Sequence, residues 1–286
     1  MPVEPGSPAG QDGSPGPGAT AGWTAPARAG GTDGMAGGAD GAVAGILLAA
    51  GTSSRMGCNK LLFELGGESV LRGAARRAMA AGLSPLLVVL GHQAERARQE
   101  LDGLPCEVVI NPDYDQGITS SLKAGLTAID AFAAIEKLDA IDAPRATGAH
   151  PATGEHPATG APPATGANPA ATARAPAAPL APVAVVVMLA DMPQVSEAMI
   201  AGLVARYRAT AAPLVISNYE GVDAPPMLYD RSLFGELREM TGGGCGRQVV
   251  KRHRAEAQVL RWPASALVDL DVPEDYARMR DRDPGS

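Results

Sequence analysis

Short apolar runs punctuate this chain and alternate with segments of helical character. VAGILLAA (43–50), PLLVVL (85–90), CEVVI (106–110), VAVVVMLA (183–190), PLVIS (213–217) and AQVLRW (257–262) predict strands. Helices are predicted over 69–81, 93–101, 120–136, 196–210, 231–240 and 273–279. The strand runs are continuously apolar, which is the pattern of strands buried on both faces of a mostly parallel sheet. The predicted fold class is therefore α/β: a Rossmann-like three-layer α/β/α domain with a mostly parallel mixed sheet. Ligands in such sheets bind beyond the carboxyl ends of the strands, so the chemistry is sought in the residues that follow them.

Two stretches stand outside this pattern. Residues 1–40 are mostly Gly, Ala, Pro, Ser, Asp and Thr and show no amphipathic period, which reads as a disordered tail. A second low-complexity stretch at about 138–181 holds the hexads ATGAHP, ATGEHP, ATGAPP and ATGANP. They lack the Ile, Val or Leu that a hexapeptide β-helix needs, so a Pro-rich flexible loop is the reading. The organisation expected is a tail followed by one domain over 41–286, interrupted by the repeat insertion. Lengthening a surface loop costs only about 0.6 kcal/mol per doubling, so the insertion is compatible with the fold.

A net charge of −7 argues against a general nucleic-acid binder, whose affinity comes from clustered Lys and Arg. The N-terminus shows no secretory signal, and the longest apolar stretch noted, 182–190, is shorter than the roughly 20 residues a bilayer span needs. No membrane role and a cytoplasmic location are expected. Cys58, Cys106 and Cys245 form no C-x-x-C pair and suit a reducing compartment, with structural roles favoured over zinc or nucleophile roles.

The first strand runs into LAAGTSSRMGCNKLL (48–62), where small residues and two glycines permit close backbone approach and Arg55 and Lys60 supply positive charge. That combination suits a phosphate chain, although it is neither a P-loop nor a dinucleotide fingerprint. The run VAVVVMLADMP delivers Asp191 to a strand end. Magnesium takes hard oxygen ligands, commonly one or two carboxylates with phosphates and water, so one such Asp can begin a metal site; capping the next helix is the other reading. NPDYDQGITSSLKAGL (111–126) follows the third strand and offers Gly117, Ser120 and Ser121 as donors to a ligand, or Thr119 or Ser120 as a helix cap. LVDLDVPEDYARM (267–279) places Asp269 and Asp271 before a helix, where acids also stabilise the helix dipole.

These segments resemble the signatures of the molybdenum cofactor cytidylyl- and guanylyltransferases and their nucleotidyltransferase relatives: L-A-[AG]-G-x-S-x-R-M-G-x-x-K, L-x-D-M-P, N-P-x-x-x-x-G-x-x-S-S-L and D-[IV]-D-T-P-E-D-Y, the last with Val272 in place of Thr. The resemblance implies a nucleotide lying along Leu48, Ala49, Ala50, Gly51 and Ser53, with Arg55 and Lys60 neutralising its triphosphate. Asn111, Gly117, Ser120 and Ser121 complete that nucleotide site, and Lys60, Arg55 and Asp191 carry catalysis. Asp191 and Asp271 hold magnesium, or manganese in its place. LAAG, where guanylyl-transferring relatives read LAGG, favours CTP as substrate. The implied acceptor is a molybdopterin-type phosphate, and the implied partners are molybdoenzymes or their maturation factors.

Two further segments depart from the family pattern. EGVDAPPMLYDR (220–231) has Ala224 where a glycine is usual, and GGGCGRQVV (242–250) has Gly243 where an acid is usual. They fall where the resemblance puts the acceptor, so a sugar phosphate or other phosphorylated alcohol, GTP as donor, and a non-catalytic nucleotide-binding regulator remain open. Arg247 is read as an anchor for an acceptor phosphate or as an Arg on a solvated helix face. The four histidines show no metal-ligand spacing.

Overall fold

The computed structural model describes residues 41–51, 59–142, 181–242, 244, 246–268, 270 and 275–276. The strands are β1 (Val43–Ala49), a small hairpin of β2 (Glu64–Leu65) and β3 (Glu68–Ser69), β4 (Leu86–Leu90), β5 (Glu107–Ile110), β6 (Ala184–Leu189), β7 (Leu214–Tyr219), β8 (Val222–Asp223), β9 (Met227–Asp230) and β10 (Gln258–Trp262). The helices are α1 (Val70–Ala80), α2 (Ala94–Gln99), α3 (Ile118–Asp142), α4 (Glu197–Thr210), α5 (Phe234–Glu239) and α6 (Arg247–Arg252).

Among the described residues the main sheet has the order β10-β7-β9-β6-β1-β4-β5, with β8 on β7. Pairs β1/β4, β4/β5, β1/β6 and β10/β7 are parallel, while β9 runs antiparallel between β6 and β7. This is the mostly parallel mixed sheet that the apolar runs predict. β1 is buried along its whole length.

Alternation along the strands divides the core between two faces. Leu47, Val88 and Val186 join α1 and α4 on one side; Ile46, Val89 and Val187 join α3, α5 and α6 on the other. Three layers result. Ser69 caps α1 by accepting from Arg72 N at 3.2 Å, and Ser196 caps α4 through Met199 N at 3.3 Å, each satisfying an otherwise orphan helix donor. Helix α3 approaches β1 closely because residue 125 is glycine: a Cβ there would lie 2.8 Å from Ile46 Cγ2.

Ile118–Ile135 of α3 is apolar and long enough to cross a membrane, yet it packs fully buried Leu122, Leu126 and Ile129 into the core under β1 and β4. Sequence predicts the end of this helix at 136; it continues to Asp142, since no Pro or Gly interrupts the chain between 136 and Pro144. β9 and α6 are additions that the apolar runs do not predict. The tail, the repeats and most of the predicted helix at 273–279 lie outside the described residues.

Candidate functional site

The connections place a topological switch beside β1. From β1 the chain moves outward through α1 to β4 and through α2 to β5, then returns through α3 to β6 on the other side of β1. A crevice opens where strand order reverses, and ligands bind there in open α/β sheets. Register aligns the four strand ends: Ala49 faces Leu90, Leu90 faces Ile110, and Leu48 faces Leu189. Ala50, Gly91, Asn111 and Asp191 therefore emerge along one edge.

A cavity of about 320 Å³ occupies this edge. Leu48, Ala49, Ala50 and Gly51 line it from the end of β1 and the residues after it, Gly117 from the approach to α3, Ser121 from the first turn of α3, and Lys60 and Asp191 from either side of the crevice. No atom of the described residues lies within 4 Å of where a Cβ on Gly51 would be. Gly91 is the opposite case. A Cβ there would fall 2.5 Å from that of Tyr114 and 2.9 Å from that of Ala50, so glycine lets Tyr114, itself a wall of the cavity, pack down on the strand end.

Across the crevice, Lys60 Nζ lies 2.7 Å from Asp191 Oδ2. Lys60 opens a single 3₁₀ turn, Lys60–Leu62, whose cap Asn59 is buried and accepts from Leu61 N at 3.1 Å. Asp191 caps no helix, because Ser196 performs that task for α4. Its carbonyl instead accepts from Leu270 N at 3.1 Å, drawing the C-terminal segment to the site. Among the described residues no three His, Cys, Asp or Glu converge, and Asp191 is a partly exposed carboxylate at the strand end. Such a donor suits a hard divalent cation that takes most of its ligands from phosphate and water. Ser53, Arg55, Asp269 and Asp271 lie outside the described residues.

Asn111 and Ser120 take another place. Buried Asn111 donates from Nδ2 to Ser120 Oγ at 2.9 Å and Ser121 Oγ at 3.0 Å, and accepts from Asp113 N at 3.0 Å. Ser120 Oγ faces the carbonyls of Asp113 and Gly117, each at 2.8 Å. Their side chains are spent on one another and shape the loop that brings Gly117 and Ser121 to the cavity. Helix α3 starts at Ile118, ahead of both candidate caps, and the Thr119 hydroxyl donates instead to Gly242 O at 2.7 Å.

A larger cavity, about 790 Å³, adjoins the first, with Ile118 and Leu189 as common walls. It is bounded by the β7–β8–β9 segment, by Met192 after Asp191, and by Arg247, Lys251 and Arg254.

Residues 45–257 match the family of the MobA-like NTP transferase domain. The chain belongs to this family. It is similar to the purine catabolism protein PucB of Bacillus subtilis, 25% identical over 82% of this chain and 95% of PucB. Among solved structures, Rv0371c of Mycobacterium tuberculosis superposes with a TM-score of 0.59 at 22% identity, covering 84% of this chain and 98% of that one. A nucleotidyl transferase from Methanothermobacter gives 0.58 at 18% identity, covering 84% and 97%.

As a MobA-like nucleotidyltransferase, the chain joins a small cavity with a cation and a carboxylate at its mouth to a second, larger one. Sequence does not single out Tyr114, Asp115, Met192 or Lys251 as site residues. Tyr114 and Asp115 lie within the NPDYDQG segment, and Lys251 follows Arg247 by one helical turn; those are the signals that could have found them.

Proposed function

We propose that this chain transfers a cytidylyl group from CTP to the phosphate of a molybdopterin-type acceptor and releases pyrophosphate. The observation that carries the reading is the Lys60–Asp191 contact at the switch point, where the small cavity opens into the large one. A nucleotide along Leu48, Ala49, Ala50 and Gly51 brings its phosphates to that contact. An oxygen of the acceptor phosphate attacks the α-phosphorus, the bond to the β-phosphate oxygen breaks, and pyrophosphate departs. A phosphate monoester has a second pKa near 6, so the nucleophile is already ionised at neutral pH and needs no general base.

Lys60 supplies fixed positive charge to the phosphates, and Asp191 would hold a magnesium or manganese ion, with Asp271 as its proposed second ligand. A bound divalent cation supplies charge neutralisation between the phosphates. Positioning and electrostatics then supply the rate, with Arg55 adding to the neutralisation. Ala50, in place of the glycine of guanylyl-transferring relatives, supports CTP. The setting proposed is the cytoplasm, with molybdoenzymes or their maturation factors receiving the product.

Pyrophosphate release with Mg²⁺ and molybdenum-loaded molybdopterin, compared across CTP, GTP and ATP, tests the reading. CTP-selective release is expected. Release with none of the three sinks it, and release only with a sugar phosphate moves the acceptor to another class.

A further inference from the structure

The two ends of the main sheet are protected unequally. β10 carries exposed Arg261 within its five residues, the kind of charge that keeps an edge strand from pairing with another chain. β5 is the other end among the described residues and reads Glu107-Val108-Val109-Ile110. No Pro, Lys or Arg interrupts it, and Ile110 is 49% exposed. Such an edge is a template for a further strand.

Backbone parity decides which groups are on offer. Asn111 N donates to Leu90 O at 2.8 Å, so Asn111, Val109 and Glu107 bond inward to β4, and Val108 and Ile110 turn their N–H and C=O groups outward. An antiparallel pairing about a two-fold axis at Val109 sets Val108 opposite Ile110 of a second copy, a hydrogen-bonded pair made by those outward groups. Val109 then faces its own counterpart. Val108 packs on the α1 side of the sheet and Val109 on the α3 side, so both layers gain contacts between β-branched apolar side chains. The same register sets Glu107 opposite Asn111 of the second copy, and like charges do not meet.

The flanking helices agree with this symmetry. Glu95 and Arg98 are exposed on α2 and three residues apart, on one helix face. A two-fold reverses α2, which turns the Glu95 end of one copy toward the Arg98 end of the other. On the opposite layer, α3 meets α5 through Asp130 and Arg238. Ile135, 58% exposed, lies about 140° round that helix from Asp130, on the flank away from α5. A four-residue strand pair alone buries less than the roughly 1,200 Å² of a stable interface, so these flanks bring the contact only to weak, concentration-dependent association.

We propose that two copies of this chain associate through β5, antiparallel about a two-fold axis at Val109, and join their sheets into one. The assignment is independent of the transfer reading.

Sedimentation equilibrium of the full chain from about 1 to 100 µM should show monomer and dimer in exchange, with a Kd in the micromolar range. Ile110→Lys sets a charge opposite Val108 of the other copy and should raise that Kd at least about tenfold, with circular dichroism to verify its fold. A cross-link tests the axis. In a chain carrying Cys58→Ser, Cys106→Ser and Cys245→Ser, Val109→Cys should give a disulfide-linked dimer under copper–phenanthroline oxidation. Cα atoms of a non-hydrogen-bonded antiparallel pair lie about 4.5 Å apart, within reach of that bond. Val108→Cys faces Ile110 and should not link. A monomer at every concentration, a dimer that Ile110→Lys leaves intact, or linkage through Val108→Cys in preference to Val109→Cys overturns the proposal. Amide hydrogen exchange at Val108 and Ile110 identifies the occupant. Protection that grows with protein concentration supports a second copy; protection equal at all concentrations gives the edge to another segment of the same chain and overturns it.

Discussion

On the side of β1 that carries β4 and β5, every strand is parallel and each connection is a local crossover of ordinary length. On the other side, antiparallel β9 is wedged between β6 and β7, and side chains tie together elements far apart in sequence. Tyr207 on α4 donates to Asp230 at the end of β9, Arg254 pairs with Asp223 on β8, and Arg238 on α5 pairs with Asp130 on α3. The small cavity, the proposed nucleotide site, draws on the first side and its boundary with β6; the larger cavity draws on the second. Strand ends fixed by parallel register give one half a rigid frame. The other half is set by individual contacts, which substitutions can exchange without disturbing the frame, so the lining of the larger cavity is the property this fold can most easily change.

The sharpest break in that comparison is at the crevice itself. Lys60→Ala and Asp191→Ala should each lower the rate of pyrophosphate release about 10²–10³-fold, the usual loss when one preorganised charge-stabilising group is removed. The pair is partly exposed, so urea denaturation should register only about 1 kcal/mol for either change. Near-normal release from both variants would mean that the chemistry lies elsewhere.

Asn111 tests whether the frame on the nucleotide side depends on its polar ties. Asn111→Ala removes three hydrogen bonds of a buried amide, two of them to the hydroxyls of Ser120 and Ser121, which should cost about 3 kcal/mol of stability. Because Gly117 and Ser121 are carried by the loop it organises, KM for the nucleotide should rise as well. A loss of stability with an unchanged nucleotide KM would show that the cavity wall does not need this network.

The nucleotide side was also the more legible in sequence, for a physical reason. Strands buried on both faces must be continuously apolar, so VAGILLAA, PLLVVL and VAVVVMLA announce themselves, and the residues after them mark the site edge. β9 is only four residues, MLYD, placed straight after Pro225-Pro226, and α6 is six residues behind a run of glycines; neither is long enough to show a period. Contacts were harder still. Nothing in spacing joins Lys60 to Asp191 or Thr119 to Gly242, because those pairings come from strand order and crossover, not from local sequence. Asn111 and Ser120 read as ligands since their residue types suit a nucleotide, whereas their side chains bond each other.

Tyr207 asks the corresponding question of the other half. Its ring is buried, and its hydroxyl donates to Asp230 Oδ2 at 2.5 Å. Burial first, and then Asp230, push the phenol well above its ordinary range. Tyr207→Phe should cost about 2 kcal/mol at neutral pH, the value of a hydrogen bond to a charged acceptor, with nucleotide KM unchanged. A raised folded pKa means that this contribution is complete below the unfolded value of about 10 and is lost as pH climbs above it. The stability gap between native protein and variant should therefore narrow from about pH 10 upward. A gap independent of pH would remove the Tyr207–Asp230 bond as its cause.

The smallest expected effect falls on the seam between the halves. Thr119 Oγ1 donates across 123 residues of sequence to Gly242 O, and it joins the first turn of α3 to the glycine turn that leads to Arg247. Val is nearly isosteric and also β-branched, so Thr119→Val deletes the hydroxyl and little else. One neutral hydrogen bond contributes about 1 kcal/mol, which corresponds to roughly a fivefold change. If the bond sets where Arg247 stands relative to the nucleotide, that change should appear in KM for the acceptor, leave KM for CTP near its native value, and be restored by Thr119→Ser. A merely structural tie would instead lower the denaturation midpoint and leave the ratio of the two KM values untouched. The split between those constants thus decides whether the second half is positioned by the first or only attached to it.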